Sequence, residues 1–255
     1  MILLLTVCIL AVLVLLYLYL QARQSLNGYK QRVHGSPIPV KTVFDLDERF
    51  ALTRFGPPST TAVRHIAGIH VEGGISDIES WILCNYAKTS NRIFELGTAT
   101  GKTAYLLALN APEDAEVVTI TLHPDHATAG LHEKGDDAAL KAAAEKESAF
   151  DTFLYTGTDV ATKVTQLFAD SKAFDERPFA ETMDLIFVDG AHTESYVRSD
   201  SEKALVMLKP GGWLFWHDYR GRRVPGTWRA LNDLSRRLPL VRIKGTSLVA
   251  YHKPE

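Results

Sequence analysis

Phe94-Glu95-Leu96-Gly97-Thr98-Ala99-Thr100-Gly101-Lys102-Thr103, residues 94–103, joins an apolar run to a helical one through a turn of small residues. Arg92–Leu96 reads as a strand and the chain from about Lys102 to Asn110 as a helix. Small residues let the backbone turn sharply and approach a ligand closely, with the next helix N-terminus pointing at it. A phosphate-binding loop needs four residues between its first glycine and Gly-Lys-Ser/Thr. Only three separate Gly97 from Gly101-Lys102-Thr103, so that loop is one residue short and Lys102 is a decoy. A dinucleotide fingerprint needs Gly-x-Gly-x-x-Gly; Gly97 and Gly101 miss that spacing, and Ala99 replaces the middle glycine. What remains is an acidic residue followed by small residues at alternate positions: Glu95-x-Gly97-x-Ala99-x-Gly101.

Outward from this turn the chain alternates. Strand-like runs at 117–122, 164–168, 184–188 and 213–216 are followed by a helix over 227–238 and closing strands at 240–244 and 247–252; another helix covers 196–208. Such alternation builds βαβ units, a mostly parallel sheet with helices on both faces, and hence a Rossmann-like α/β architecture. The last two strands are joined tightly at Gly245, too short a link for a parallel crossover, so they form an antiparallel hairpin. Upstream, Ser76-Asp77-Ile78-Glu79 has the form of a capping box, and Ile78, Ile82, Leu83 and Tyr86 continue as a helical stripe to about Lys88. The connection over 123–159 is unusually long. Its middle, 136–147, is rich in Ala, Lys and Glu and favours a helix. It reads either as a surface helix of the α/β wrap or as a lid on the substrate side.

The 255 residues are 46% hydrophobic and 23% charged, with a formal net charge of −2. That suits one sizeable α/β domain with a short appendage, and it lacks the basic footprint of a nucleic-acid partner. Residues 1–20 contain no charged side chain; at ~1.5 Å per residue they span about 30 Å, the thickness of a bilayer core. A cleaved signal peptide would show a basic start, a shorter apolar core and a small-x-small end. Here no Lys or Arg precedes the run, and it closes on Tyr17-Leu18-Tyr19-Leu20. A single-pass membrane anchor is expected, with Arg23, Lys30 and Arg32 holding the rest of the chain on the cytoplasmic side. Cys8 falls in the apolar segment, so a disulfide with Cys84 is not expected and a reducing compartment is the simpler reading. Residues 21–74, interrupted by Pro37, Pro39, Pro57 and Pro58, read as a linker with N-terminal elements, and 75–255 as the domain.

In company with the later strand ends, the turn at Glu95 resembles the first motif of class I S-adenosylmethionine-dependent methyltransferases. Asp170-Ser171 follows the third strand, where that family contacts adenine. Asp184-Leu185-Ile186-Phe187-Val188-Asp189-Gly190-Ala191-His192 looks like the fourth strand and its ligand loop, and Leu208-Lys209-Pro210-Gly211-Gly212 closely resembles the turn before the fifth. The resemblance covers roughly residues 75–253. The VDGAH and WHDY segments are most similar to the branch that includes macrocin-type sugar O-methyltransferases. It implies a seven-stranded sheet of order 3-2-1-4-5-7-6 with the last strand antiparallel. It also implies S-adenosylmethionine as cofactor, contacted by Glu95, Gly97, Thr98, Ala99, Gly101, Thr121, Asp170, Ser171 and Asp189. Thr121 departs from the pattern, since an acidic residue usually stands there to hold the ribose hydroxyls. A hydroxyl bonds less strongly than a carboxylate, and Thr121 reads equally well as an ordinary β-branched strand residue.

Metal-dependent members of the resembling family bind a divalent ion through a carboxylate after the fourth strand and an Asp-Asn pair after the fifth. The matching residues are Asp189 and His217-Asp218. Oxygen ligands suit Mg²⁺ or Mn²⁺ and an imidazole tilts toward a transition metal; such an ion lowers the pKa of a substrate hydroxyl. His192, three residues after Asp189, stands where the family carries a lysine near the substrate, and an imidazole suits a general base. The plainer readings are a strand-end histidine bonded to backbone and an aspartate capping a helix. Arg220, Arg222 and Arg223 either meet an anionic substrate or lie solvated on a loop. No Asn/Asp-Pro-Pro-Tyr amide-binding motif is present, which favours an oxygen nucleophile. The expected function is methylation of a hydroxyl on a small molecule, sugar or glycoconjugate. The rival is a catalytically silent, membrane-tethered binding module with the same fold. Oligomeric state is not legible.

Overall fold

The computed structural model describes residues 10–20, 35–68 and 71–255. Within the compact unit Ile38–Glu255 the elements run β1 (Val40–Lys41), α1 (Asp77–Ala87), β2 (Arg92–Leu96), α2 (Lys102–Asn110), β3 (Glu116–Thr121), α3 (Ala138–Glu147), β4 (Val164–Phe168) and β5 (Met183–Val188). They continue with α4 (Glu194–Met207), β6 (Leu208–Trp216), α5 (Pro225–Leu234), β7 (Val241–Ile243) and β8 (Val249–His252). α1 starts on the expected capping box: Ser76 Oγ accepts from Glu79 N, and Glu79 Oε2 accepts from Ser76 N at 2.9 Å.

All eight strands form one sheet, in the order β1-β7-β8-β6-β5-β2-β3-β4. Pairing is parallel except at β8, which runs antiparallel to both β6 and β7, and the turn into it passes through Gly245 at φ +84. Count and order differ from the expected seven strands through β1, which lies parallel against β7 with Val40 opposite Arg242. Pro37 and Pro39 interrupt any helix there. A proline lacks only the N–H, however, and Pro39 serves the ladder through its carbonyl, which accepts from Arg242 N at 2.8 Å. The Leu208–Gly212 segment is likewise part of β6 and not a turn before it. Between the pairs Met183–Leu208 and Leu185–Trp213 one residue of β5 faces four of β6; the excess bulges out around Gly211 at φ +71.

Side chains alternate between two apolar layers. Ile93, Val117, Leu185, Phe187 and Phe215 pack with α1 and α2, while Phe94, Leu96, Val118, Ile120, Ile186 and Val188 pack with α4 and α5. Burial on both faces explains why the central strands read as continuous apolar runs. Val43 and Phe50 belong to the first layer and Ile38 to the second. The N-terminal elements from Ile38 onward thus pack on both layers of the sheet, within one compact unit with the rest of the domain.

The described part of the apolar N-terminus is a helix over 10–20, about 16 Å at ~1.5 Å per residue. Among the described residues no helix is long and apolar enough to cross a membrane. The rest of the expected anchor, with Cys8, Arg23, Lys30 and Arg32, lies outside the described residues.

Candidate active site

The carboxyl ends of β2, β3, β5 and β6 converge, as they do at ligand sites of open α/β sheets. Gly97 leaves β2 at φ +106, and a Cβ there would stand 2.3 Å from the carbonyl oxygen of Asp189. The turn after β2 and the end of β5 therefore touch backbone to backbone, which only glycine permits. Ala99 (φ +43) and Gly101 (φ +75) complete the turn into α2. Beside it opens a cleft with two arms that share Gly97, Ala99, Glu147 and Asp189. One arm is mainly apolar, lined by Leu96, Ile120, Leu122, Ala169 and Ala191, with Thr121, Ser171, Tyr196 and Asp200. The other is polar, lined by Thr98, Lys102, His192, His217, Asp218 and Arg220.

Most expected cofactor residues border this cleft, but three do not. Glu95 is 1% exposed and lies beneath the turn, where its carboxylate accepts from Thr119 Oγ1 at 2.6 Å. Thr119 in turn bonds Thr98 Oγ1 at 2.8 Å. Burial, with Asp189 nearby, pushes the Glu95 carboxyl up to about 8, so it braces the turn as a neutral acid at pH 7. Gly101 is covered by Phe153 and Tyr155, whose atoms come within 2.7 and 2.9 Å of where a Cβ would stand. Asp170 is committed to protein partners: its oxygens accept from Leu131 N and Lys172 N at 2.8 Å and from the Tyr196 hydroxyl at 2.5 Å. Period-2 logic could not distinguish a strand-end residue facing the ligand from one facing the layer beneath.

Where the arms meet, two carboxylates alternate with two imidazoles. Asp189 Oδ1 faces His217 Nδ1 at 2.9 Å, and Asp218 Oδ2 faces His192 Nε2 at 3.1 Å. The remaining nitrogens also face acceptors: His217 Nε2 lies 3.4 Å from Glu79 Oε2, and His192 Nδ1 contacts the Gly190 carbonyl. Burial alone would lower both imidazoles, but the carboxylates outweigh it. They hold His217 well above its usual range and push His192 up to about 9. Asp218, despite burial, is pulled down to about 2 by His192, His217 and Arg220. The carboxylates thus favour the protonated form of His192, and both of its ring nitrogens are engaged.

The donor set also bears on the expected metal site. Asp189, His192 and His217 offer ligand atoms within 4.8 Å of one another, with His192 in the place expected for Asp218. Each imidazole nitrogen is nevertheless turned to an acceptor, and a metal needs the lone pair that a protonated imidazole lacks. Without an ion these residues pair with one another, and a divalent ion bound there would displace the imidazole protons.

Residues 94–219 match the family model described as a methyltransferase domain. Over that stretch, just under half of the chain, it resembles methyltransferase domains. No curated protein sequence matches the chain. Among solved structures, a protein from Corynebacterium glutamicum is similar with a TM-score of 0.50 at 14% identity, over 71% of this chain and 83% of that one. The O-methyltransferase TomG from Streptomyces achromogenes, involved in tomaymycin synthesis and solved with S-adenosylmethionine, has a TM-score of 0.48 at 20% identity, over 71% and 82%. The SAH-bound Podospora anserina methyltransferase PaMTH1 has 0.49 at 17%, over 72% and 80%. At these identities the likeness is one of fold.

Two residues of the cleft, and one behind it, were not read from the sequence as site residues. Glu147, the last residue of α3, comes from the long connection after β3 and lines both arms. Burial pushes its carboxyl up to about 6 against the pull of His192. Asp200 on α4 is 1% exposed, borders the apolar arm, and has an Oδ1 with no hydrogen-bond partner. Glu79 was read only as a cap, yet its Oε1 also accepts from Ser247 N and Oγ at 2.7 and 2.8 Å. The connection itself is the cleft's wall: Ala144, Glu147 and Ser148 line it, and Leu154 N donates to the Thr100 carbonyl at 2.9 Å. Of the arginines, Arg220 donates to Asp218 Oδ1 at 2.7 Å, Arg223 is exposed, and the side chain of Arg222 lies outside the described residues.

Proposed function

We propose that this chain transfers the methyl group of S-adenosylmethionine to a hydroxyl of a small molecule, sugar or glycoconjugate. The observation that carries this reading is the two-armed cleft meeting at Gly97, Ala99, Glu147 and Asp189. Its apolar arm suits adenosine, with Thr121 at the ribose and the unpartnered Asp200 Oδ1 offering a hydrogen bond to the base. Its polar arm suits the charged methionyl end and the acceptor. The cofactor supplies the activated methyl group. The protein's task is to orient the acceptor oxygen in line with it and to remove the hydroxyl proton. With both ring nitrogens of His192 engaged, Glu147 is the group placed to take that proton. The imidazolium pair fixes Asp189 and Asp218 around the reacting atoms.

The test is calorimetry with S-adenosylmethionine, followed by transfer of labelled methyl to a panel of hydroxylated acceptors with and without chelator. Binding and chelator-insensitive transfer are expected. Absence of binding by the folded protein would sink the reading, and binding without transfer to any acceptor would favour the silent tethered module. The apolar N-terminus supports placing the domain on the cytoplasmic face of a membrane.

A further inference from the structure

We propose that Lys102 is the counter-ion for the carboxylate at the methionyl end of the cofactor, a role that rests on the S-adenosylmethionine reading above. Lys102 is 2% exposed, yet among the described residues its Nζ has no hydrogen-bond partner. It lines the polar arm with Gly97, Thr98 and Ala99. The nearby carboxylate of Asp77 attracts the ammonium but is hydrogen-bonded instead to Gly68 N at 2.8 Å and to His65 Nε2 at 3.1 Å. Gly68 leaves the ammonium its room, since a Cβ there would stand 3.2 Å from Nζ.

A buried ammonium with no partner is costly and persists where something pairs with it. Lys102 is also the first residue of the nine-residue α2, whose first-turn amides lack carbonyl partners four residues back. The positive end of that helix adds to the same anion preference. The charges of the arm are thus arranged in two lobes. Lys102 and the α2 N-terminus suit a carboxylate, while Glu147 and Asp189 at the junction suit an ammonium. An α-amino acid carries both groups on one carbon, and the methionyl end of the cofactor is such a group.

The test uses the full-length chain in detergent and compares S-adenosylhomocysteine with its analogue lacking only the carboxylate. Wild type is expected to bind the intact ligand roughly ten- to hundredfold more tightly, the range of one charge-assisted hydrogen bond. Lys102→Met is expected to bind both with the weaker affinity. It is also expected to melt no lower than wild type without ligand, because no hydrogen bond or contact ion pair of Nζ is lost and a buried charge is removed. Equal affinity of wild type for the two ligands overturns the proposal, as does a preference that survives in Lys102→Met. A lower unliganded melting temperature for Lys102→Met also overturns it, by showing a structural ion pair. Failure of wild type to bind either ligand rejects instead the cofactor reading on which the proposal rests.

Discussion

Glu147 concentrates the chemistry at the scale of one residue. A base must be ionised to accept a proton, so activity should rise with pH through about 6, the value to which burial has raised this carboxyl. Glu147→Gln should remove that limb and lower kcat/KM by about 10²–10⁴, the usual worth of a general base. Initial rates from pH 5 to 8 check this; an unchanged profile in Glu147→Gln would assign the proton elsewhere. His192→Gln should not reproduce that loss of the limb, because His192 is already protonated below about 9. The contrast shows what was legible at this scale. Asp189, His192, His217 and Asp218 stand at strand ends, where sequence order alone assigns them to the ligand side, and the structure brings all four together. Glu147, Asp200 and Lys102 are helical residues among similar neighbours. Their inward direction depends on how a long connection and two helices pack, and no local periodicity encodes that.

At the scale of elements, the turn after β2 is legible because its geometry is demanding. Gly97→Ala would drive a methyl into the Asp189 carbonyl at a backbone angle that L residues rarely adopt. The substitution should destabilise the fold by about 2–4 kcal/mol, combining overpacking with an incompatible φ. It should also weaken cofactor binding, since the ends of β2 and β5 must separate. Denaturant unfolding and calorimetry of the variant check both effects; near-wild-type values for both would show that the turn is softer than its contacts indicate. β1 was missed for the opposite reason. Its two residues carry no pattern long enough to read, and their pairing is fixed by β7, two hundred residues downstream in order of magnitude.

For the molecule as a whole, the alternation of strands and helices sufficed for the fold class because a doubly covered sheet requires two apolar layers. The start of the unit did not follow, since Ile38, Val43 and Phe50 are scattered apolar residues whose burial depends on distant partners. The membrane reading belongs to this scale too. Full-length protein should remain with the membrane fraction through an alkaline carbonate wash, and removal of residues 1–20 should release it. Recovery of the full-length chain in the wash would remove the anchor from the account.

The pairing of β1 with β7 has a mechanical side. Two residues, Val40 and Lys41, fasten the N-terminal run of the chain to the sheet through a ladder only two pairs long. Any tension arriving from residues before Gly35 would fall on that clasp before it reached the longer pairings of β2, β3 and β5. If the clasp parted, residues 35–42 would add about 26 Å of slack at ~3.3 Å per residue. The site itself is built on other strands. The clasp thus sets how much rope the domain is given.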